Sequence, residues 1–331
     1  MPELRKCPIT ERWVIISTER AKRPLNLEPE PALEQPGICP FCPGNEHLTP
    51  REILAYRDSG GTNDPNWRVR VIPNKFPALR VEGELDRQGL GLYDKMNGIG
   101  AHEIIIETPA HDRKMSQYNE HELQCVLRAY RDRMNDLKRD VRFKYTLVFK
   151  NEGAGAGATQ PHSHSQLIAL PIVPKSVMEE LKGSERYFDF KQRCIYCDIV
   201  RQELHDNERL VAENPDYVVI APFASRHPFE LWILPRTHQA RFEETNDEQF
   251  AFLAKILSET LRRLERAVGE TAYNLTLHTT PFGQGVAAFY HWHIEITSRL
   301  TKIAGFERGS GFYINPTPPE EAAEYLRKIK L

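Results

Sequence analysis

Two Cys-x-x-Cys pairs punctuate the chain, Cys39-Pro40-Phe41-Cys42 and Cys194-Ile195-Tyr196-Cys197. Two thiolates at that spacing can grip one metal ion, and two imidazoles complete a tetrahedral shell. The histidines that fit are His111 and His162 for the first pair, and His238 and His291 for the second. The sets Cys39, Cys42, His111, His162 and Cys194, Cys197, His238, His291 therefore predict two zinc sites. The second could hold iron instead, because nitrogen and sulfur ligand sets overlap. Redox dithiols are the competing reading. They require the motif to open a helix after a strand, and Pro40 and Pro43 suit a zinc knuckle better.

A further cluster is His162-Ser163-His164-Ser165-Gln166. On a strand, residues two apart share a face, so His162, His164 and Gln166 line one surface. The glycine-rich run from Asn151 to Thr159 lies just upstream. Such a loop brings backbone N–H groups close to phosphate oxygens. If His162 is held by metal, His164 is left free beside it. A neutral imidazole nitrogen is a competent nucleophile toward phosphorus. Gln166 can donate a hydrogen bond to the phosphoryl oxygen that gains charge. The plainer alternative is a polar strand face that only completes a zinc site. Of the other histidines, His47 and His121 read as loop and helix-surface residues. His102 and His227 precede strands and read as hydrogen-bonded structural groups.

The elements that must position these groups occur twice. In the first half, Glu103 to His111 is followed by a helix capped at Asn119, with apolar positions Leu123, Val126, Leu127, Tyr130, Met134 and Leu137. Then come a strand at Tyr145–Phe149, the glycine-rich loop and His162-Ser163-His164. In the second half, Glu230 to His238 precedes a helix capped at Asn246-Asp247, with Phe250, Leu253, Ile256, Leu257, Leu261 and Leu264 on one stripe. A strand at Tyr273–Leu277, the loop Pro281–Gly285 and His291-Trp292-His293 follow. The shared order predicts a tandem duplication. Its break falls near Pro171–Lys191, giving halves 1–172 and 173–331. Trp67–Ile72 and Tyr217–Ile220 read as further strands. The expected class is α+β, a mainly antiparallel sheet with helices packed on it.

The 331 residues carry 44 Lys+Arg against 46 Asp+Glu, which argues against bulk attraction to nucleic acid or an anionic membrane. Apolar runs such as Ile104-Ile105-Ile106 are too short to span a bilayer. The N-terminal residues lack the apolar core of a secretory signal, so the expected compartment is the cytoplasm. Six cysteines in such a chain do not form a disulfide framework, and Cys7 and Cys125 are left without a role.

Taken together, these residues resemble the galactose-1-phosphate uridylyltransferase family, in the nucleotidyl-transferase branch of the histidine-triad superfamily. The resemblance rests on His162-Ser163-His164-Ser165-Gln166, on Asn151 and its small-residue loop, on Arg20-Ala21-Lys22-Arg23-Pro24, and on Asn74-Lys75-Phe76-Pro77-Ala78-Leu79. It spans Trp13 to about Pro316. It implies two histidine-triad-like units and a ping-pong reaction through a nucleotidyl-His164. UDP-glucose would give up its uridylyl group with release of glucose 1-phosphate, and galactose 1-phosphate would accept it. Arg20, Arg23, Asn74, Asn151, Thr159 and Gln166 are implied as nucleotide and phosphate contacts. No organic cofactor is implied. A homodimer is, with each site completed by the partner's C-terminal segment.

In the hydrolase branch a third histidine stands where this chain has Gln166. Glutamine cannot act as a general acid, which favours transfer to a phosphate acceptor over hydrolysis. His293, the counterpart of His164, is followed by Glu295 in place of a glutamine. It reads as a degenerate nucleophile or a residual ligand. The implied acceptor segment, Lys302, Phe306 and Glu307, departs from the family. Phe306 stands where better-known members have Tyr, and Tyr313 where they have Gln. The run from Gly305 to Pro316 is closer to a plant relative, ADP-glucose phosphorylase, which hands an adenylyl group to inorganic phosphate. A zinc-stabilised nucleotide-binding module without catalysis is the reading of another class. The intact His164 and Gln166 weigh against it.

Overall fold

The computed structural model describes residues 1–22, 37–283 and 285–331. Arg23 therefore lies outside the described residues. The first half carries strands β1 (Glu3–Lys6), β2 (Trp13–Ile16), β3 (Leu54–Arg57), β4 (Trp67–Pro73), β5 (Gln88–Leu90), β6 (Tyr93–Lys95) and β7 (Ala101–Ile106). Helix α1 (Glu120–Leu137), β8 (Tyr145–Glu152) and β9 (His164–Leu170) complete it. Helices α2 (Lys175–Lys191) and α3 (Ile195–Asp206) lead into β10 (Leu210–Glu213), β11 (Tyr217–Ile220) and β12 (Leu231–Pro235). Then come α4 (Asp247–Val268), β13 (Tyr273–His278), β14 (His293–Ser298), α5 (Gly305–Ser310), β15 (Tyr313–Asn315) and α6 (Pro319–Lys328).

Ten strands form one continuous sheet in the order β10-β11-β12-β14-β13-β8-β9-β7-β4-β3. Every pairing in it is antiparallel. Read from the centre outward, β8-β9-β7-β4-β3 and β13-β14-β12-β11-β10 follow the same plan. The duplicated sequence thus becomes a duplicated half-sheet, joined where β13 pairs with β8. The fold is α+β, with both halves sharing a core.

The two long helices begin where their caps dictate. Asn119 accepts the Glu122 N–H and Glu122 accepts the Asn119 N–H; Asn246 and Gln249 repeat the arrangement. The apolar stripes of α1 and α4 pack together over one sheet face. Strand alternation divides the side chains: Ile105 joins the helix-side core, whereas Ile104 and Ile106 face the opposite side with Phe41, Trp67 and Ile72. The corresponding face of the second half is covered by α2, α3 and the N-terminal strands.

Two features were not expected. The charged segment after Pro174 is helix α2, starting directly after that proline. The N-terminal hairpin also crosses over to the second half, because β2 pairs in parallel with β15. Gly183 permits this crossover: a Cβ there would meet the Ile9 carbonyl oxygen at 1.7 Å.

Candidate active site

The first Cys-x-x-Cys lies in a turn, and its sulfurs approach two imidazoles. Cys42 Sγ is 3.3 Å from His111 Nδ1 and 3.6 Å from His162 Nδ1, and Cys39 Sγ is 3.7 Å from His162 Nδ1. The second set repeats this geometry. Cys197 Sγ lies 3.4 Å from His238 Nδ1 and 3.7 Å from His291 Nδ1. Metal bonds of ~2.3 Å to sulfur and ~2.0 Å to nitrogen give a tetrahedral S···N edge of about 3.5 Å. Both sets match that edge.

The far ring nitrogens are also engaged. His162 Nε2 donates to the Thr108 carbonyl at 2.7 Å, His291 Nε2 to Pro235 at 3.0 Å, and His238 Nε2 to Ala287 at 2.6 Å. Each bond aims the lone pair of Nδ1 at the sulfurs, as metal-ligating histidines require. Cys197 is held below the ordinary thiol range by the Cys194 hydrogen bond and by His238 and His291, while the same pairing raises Cys194. The second pair opens α3, with Cys194 at its N-cap. It follows helix α2, however, and no strand precedes it as in a redox motif. Both quartets can therefore hold a metal ion.

His162 lies two residues before His164, which begins β9. His164 pairs with Ile106, and Gln166 with Ile104, so both side chains sit on the face that carries Phe41. The His164 ring is 5.5 Å from that of Phe41. His164 Nδ1 donates to the His162 carbonyl at 2.8 Å. A neutral ring then carries its lone pair on Nε2. Burial, together with the Lys150 charge, holds the His164 pKa below its ordinary value. The imidazole borders a cavity of about 320 Å³ together with Asn151, Gly153 and His162. Gly153 and Gly157 of that loop have φ of 81° and 88°, where a side chain would be strained.

Gln166 is oriented by a residue that the sequence placed only as structural. The Ala78 N–H donates to His102 Nδ1 at 3.2 Å, so the neutral ring's proton lies on Nε2. That nitrogen is 2.8 Å from Gln166 Oε1. With its oxygen occupied, Gln166 keeps its amide N–H groups for a ligand. Asn74 Nδ2 lies 3.2 Å from the same nitrogen, but both atoms are then donors, so Asn74 is a neighbour of His102 and not its hydrogen-bond partner. Gln166 and His102 are thus directly bonded, with Asn74 beside them.

Behind His164, on the α1 side of the sheet, lies a buried charged network. Lys150, 1 % exposed, pairs with Glu107 at 3.0 Å and Glu152 at 3.2 Å, and donates to Ser163 Oγ at 2.8 Å. Ser163 and Ser165 both donate to Glu107, and Tyr130 closes the set at 2.5 Å from Ser165 Oγ. The network pins the backbone on either side of His164. Single charged residues in a strand carry no sequence pattern, so Lys150 and Glu107 were not foreseen.

Other expected contacts fall elsewhere. Arg20 is exposed on a short turn, and Thr159 is exposed at the end of the loop. Lys302 and Phe306 are exposed, and Glu307 caps α5 through the Ala304 N–H. Among the described residues, none of these side chains bonds to the His164 cluster. In the second half, Glu180, His278, His293 and Glu295 bring their donor atoms within 4.8 Å of one another, all buried. There His293 stacks on His278 at 4.7 Å, and Arg226 holds Glu295 at 2.5 Å. Glu180 comes from α2, where nothing in the sequence distinguished it.

A histidine in a quartet that can hold a metal stands beside a free one, near a glycine loop and an amide donor, on a histidine-triad-like fold. The profile for the galactose-1-phosphate uridyl transferase N-terminal domain matches residues 1–174, and a domain of unknown function, DUF4921, matches 109–329. The chain is 36% identical over 337 residues to the ADP-glucose phosphorylase of Arabidopsis thaliana, covering 100% of this chain and 93% of that one. It is 27% identical over 340 residues to the galactose-1-phosphate uridylyltransferase of Thermotoga maritima, covering 100% and 99%. The crystal structure of the Arabidopsis thaliana ADP-glucose phosphorylase with bound ADP-glucose superposes with a TM-score of 0.87 at 34% identity, covering 100% of both chains. A uridylyltransferase structure gives 0.77 at 28% identity, covering 99% and 97%. The chain belongs to the galactose-1-phosphate uridyl transferase family and is a nucleotidyltransferase.

Proposed function

We propose that this chain moves the nucleotidyl group of a sugar nucleotide to a phosphate acceptor through a covalent link to His164. The observation that carries the reading is the His164 Nδ1–His162 carbonyl bond, which commits one ring nitrogen and leaves the other as nucleophile. Nε2 attacks the α-phosphorus, the bond from phosphorus to the bridging oxygen breaks, and the sugar 1-phosphate leaves with that electron pair. An oxygen of the acceptor phosphate then attacks the same phosphorus and breaks its bond to nitrogen. Gln166, held by His102, donates to the phosphoryl oxygen that gains charge. Asn151 and the loop to Thr159 take the phosphates, with Asn74 as a further contact and, on the family resemblance alone, Arg20 and Arg23. Zinc, when bound by Cys39, Cys42, His111 and His162, fixes the strand end on which His164 sits. Cys194, Cys197, His238 and His291 hold a second zinc ion.

The preferred donor is ADP-glucose and the acceptor inorganic phosphate. The identity to the Arabidopsis thaliana phosphorylase supports this, as does the Gly305–Pro316 run. UDP-glucose with galactose 1-phosphate is the second reading, supported by the uridylyltransferases that cover nearly the whole chain. The exposure of Lys302 and Phe306 favours a homodimer in which the partner's acceptor segment completes each site. The halves 1–172 and 173–331 then divide the labour, the first carrying the catalytic histidine and the first zinc site, the second the other metal site and the acceptor segment. We place the enzyme in the cytoplasm; no described helix is long and apolar enough to cross a membrane.

Exchange of labelled glucose 1-phosphate into ADP-glucose and into UDP-glucose, with no other acceptor present, tests the reading. A covalent intermediate predicts exchange, faster with ADP-glucose. Absence of exchange with both donors sinks the mechanism, and faster exchange with UDP-glucose selects the second reading.

A further inference from the structure

The two halves of the sheet join where β13 pairs with β8, and there the second half reaches the glycine-rich loop beside His164. Asn274 lies directly opposite Asn151 in that register. Its neighbours Tyr273 and Leu275 belong to the helix-side core, so Asn274 points to the other face, the one that carries His164. Phe149 pairs with Gln166, which sets Asn151, two residues further on, beside His164 on that same face. Asn274 Nδ2 donates to Asn151 Oδ1 at 2.7 Å and to the Ala156 carbonyl at 3.0 Å. Asn274 Oδ1 accepts from Arg299 Nε.

These contacts fix the direction of two amides. A carbonyl only accepts and a guanidinium only donates, so Ala156 and Arg299 together leave Asn274 a single orientation. Its nitrogen then meets the Asn151 oxygen, and Asn151 Nδ2 is turned away from the joint. Among the described residues that nitrogen has no acceptor, and Asn151 borders the His164 cavity. Arg299 is half-buried and forms no ion pair among the described residues. A guanidinium kept there without a carboxylate is costly. The sheet itself does not need the amide, because the duplicated plan puts Leu147 where the second half has Asn274.

We propose that Asn274 and Arg299 are positioning residues that aim the Asn151 amide N–H groups at the transferred phosphoryl group. The assignment rests on the reading of His164 as nucleophile and Asn151 as a phosphate contact. Neither Asn274 nor Arg299 touches the substrate, and no bond is made or broken at them. Arg299 sets the Asn274 amide, Asn274 sets the Asn151 amide, and the second half thereby acts on transfer through an orientation. Preorganised donors of this kind stabilise charge that develops in the transition state, so the effect belongs in kcat.

The test is steady-state exchange of glucose 1-phosphate into ADP-glucose by the full chain, for the wild type, Asn274→Leu and Asn274→Asp. Leu releases Asn151 and should lower kcat about tenfold with little change in KM. Asp still accepts from Arg299 but offers Asn151 an acceptor, which turns the Asn151 oxygen toward the phosphate; kcat should fall about 100-fold. A merely structural role predicts the opposite order, because Asp keeps the Arg299 bond and Leu strands it. Asp matching or exceeding Leu in kcat therefore overturns the proposal. So does a loss with Asp that lies in KM and fades at high salt, since that is through-space repulsion. Arg299→Met leaves Ala156 alone to set Asn274 and should lower kcat about threefold, less than Asn274→Leu; an unchanged kcat removes Arg299 from the assignment. Absence of exchange in the wild type is failure of the His164 reading. Exchange in the wild type with unaltered kcat in both Asn274 variants is failure of this one alone.

Discussion

The two halves of the sheet are built on one plan but surround their second histidine differently. His164 and His293 occupy matching positions, each with Nδ1 bonded to the carbonyl of the metal-site histidine two residues earlier. Around His164 the chain places Asn151, Gln166 and a cavity. Around His293 the matching positions carry His278 and Glu295, and the ring is sealed between His278, Trp232 and Tyr196. Behind the strand the contrast is as sharp. Strand register matches Lys150, Ser163 and Ser165 with Leu277, Trp292 and Ile294. One half has a charged network behind the histidine we propose as nucleophile. The other uses ordinary apolar packing and a closed ionic cluster. The two rings share a backbone geometry and differ in their neighbours, and on our proposal those neighbours decide which ring reacts.

The comparison can be broken most directly at the nucleophiles. His164→Asn should lower transfer by ~10⁴-fold or more, since nothing else in the cluster can form the covalent link. His293→Asn should leave transfer within about threefold, because the ring touches no reacting atom. Steady-state rates with ADP-glucose and phosphate check both. The metal sites sharpen the contrast next. Metal analysis should give two zinc equivalents for the wild type, and one each for Cys42→Ser and Cys197→Ser. Cys42→Ser should also reduce activity by ~10- to 100-fold, whereas Cys197→Ser should chiefly lower the melting temperature. One or no zinc equivalent in the wild type would contradict the two-zinc reading.

The charged network gives an effect on stability. Lys150→Leu copies the second half but strands Glu107 in the core, and should cost about 3–5 kcal/mol in denaturant unfolding. Adding Glu107→Gln should recover much of that stability without restoring the rate, if the network positions His164. Recovery of both would show that the network only stabilises. His102→Ala should reduce kcat by about tenfold with little change in KM, because Gln166 loses its orientation but remains. A loss confined to KM would contradict that role.

Much of this was legible in the sequence. The quartets could be read because cysteine and histidine are scarce and their spacing repeats. Capping residues fixed the starts of α1 and α4, and the apolar stripe ends with α1 at Leu137, whereas α4 runs on to Val268, four residues past the last stripe position, Leu264. His102 was visible, but its bond to Gln166 depends on a strand neighbour that only the β7–β9 register reveals. Lys150, Glu107 and Glu180 are charged residues in ordinary surroundings, and only burial marks them out. The N-terminal crossover could not be read, because its parallel pairing with β15 joins opposite ends of the chain.

The central claim concerns which histidine carries the nucleotidyl group. Incubating the wild-type protein with donor labelled in the α-phosphate, without acceptor, and mapping the label by peptide mass spectrometry tests it. The account predicts label on His164 from ADP-glucose, and none on His293. Label on His293, or no label from either ADP-glucose or UDP-glucose at any pH tried, would contradict it.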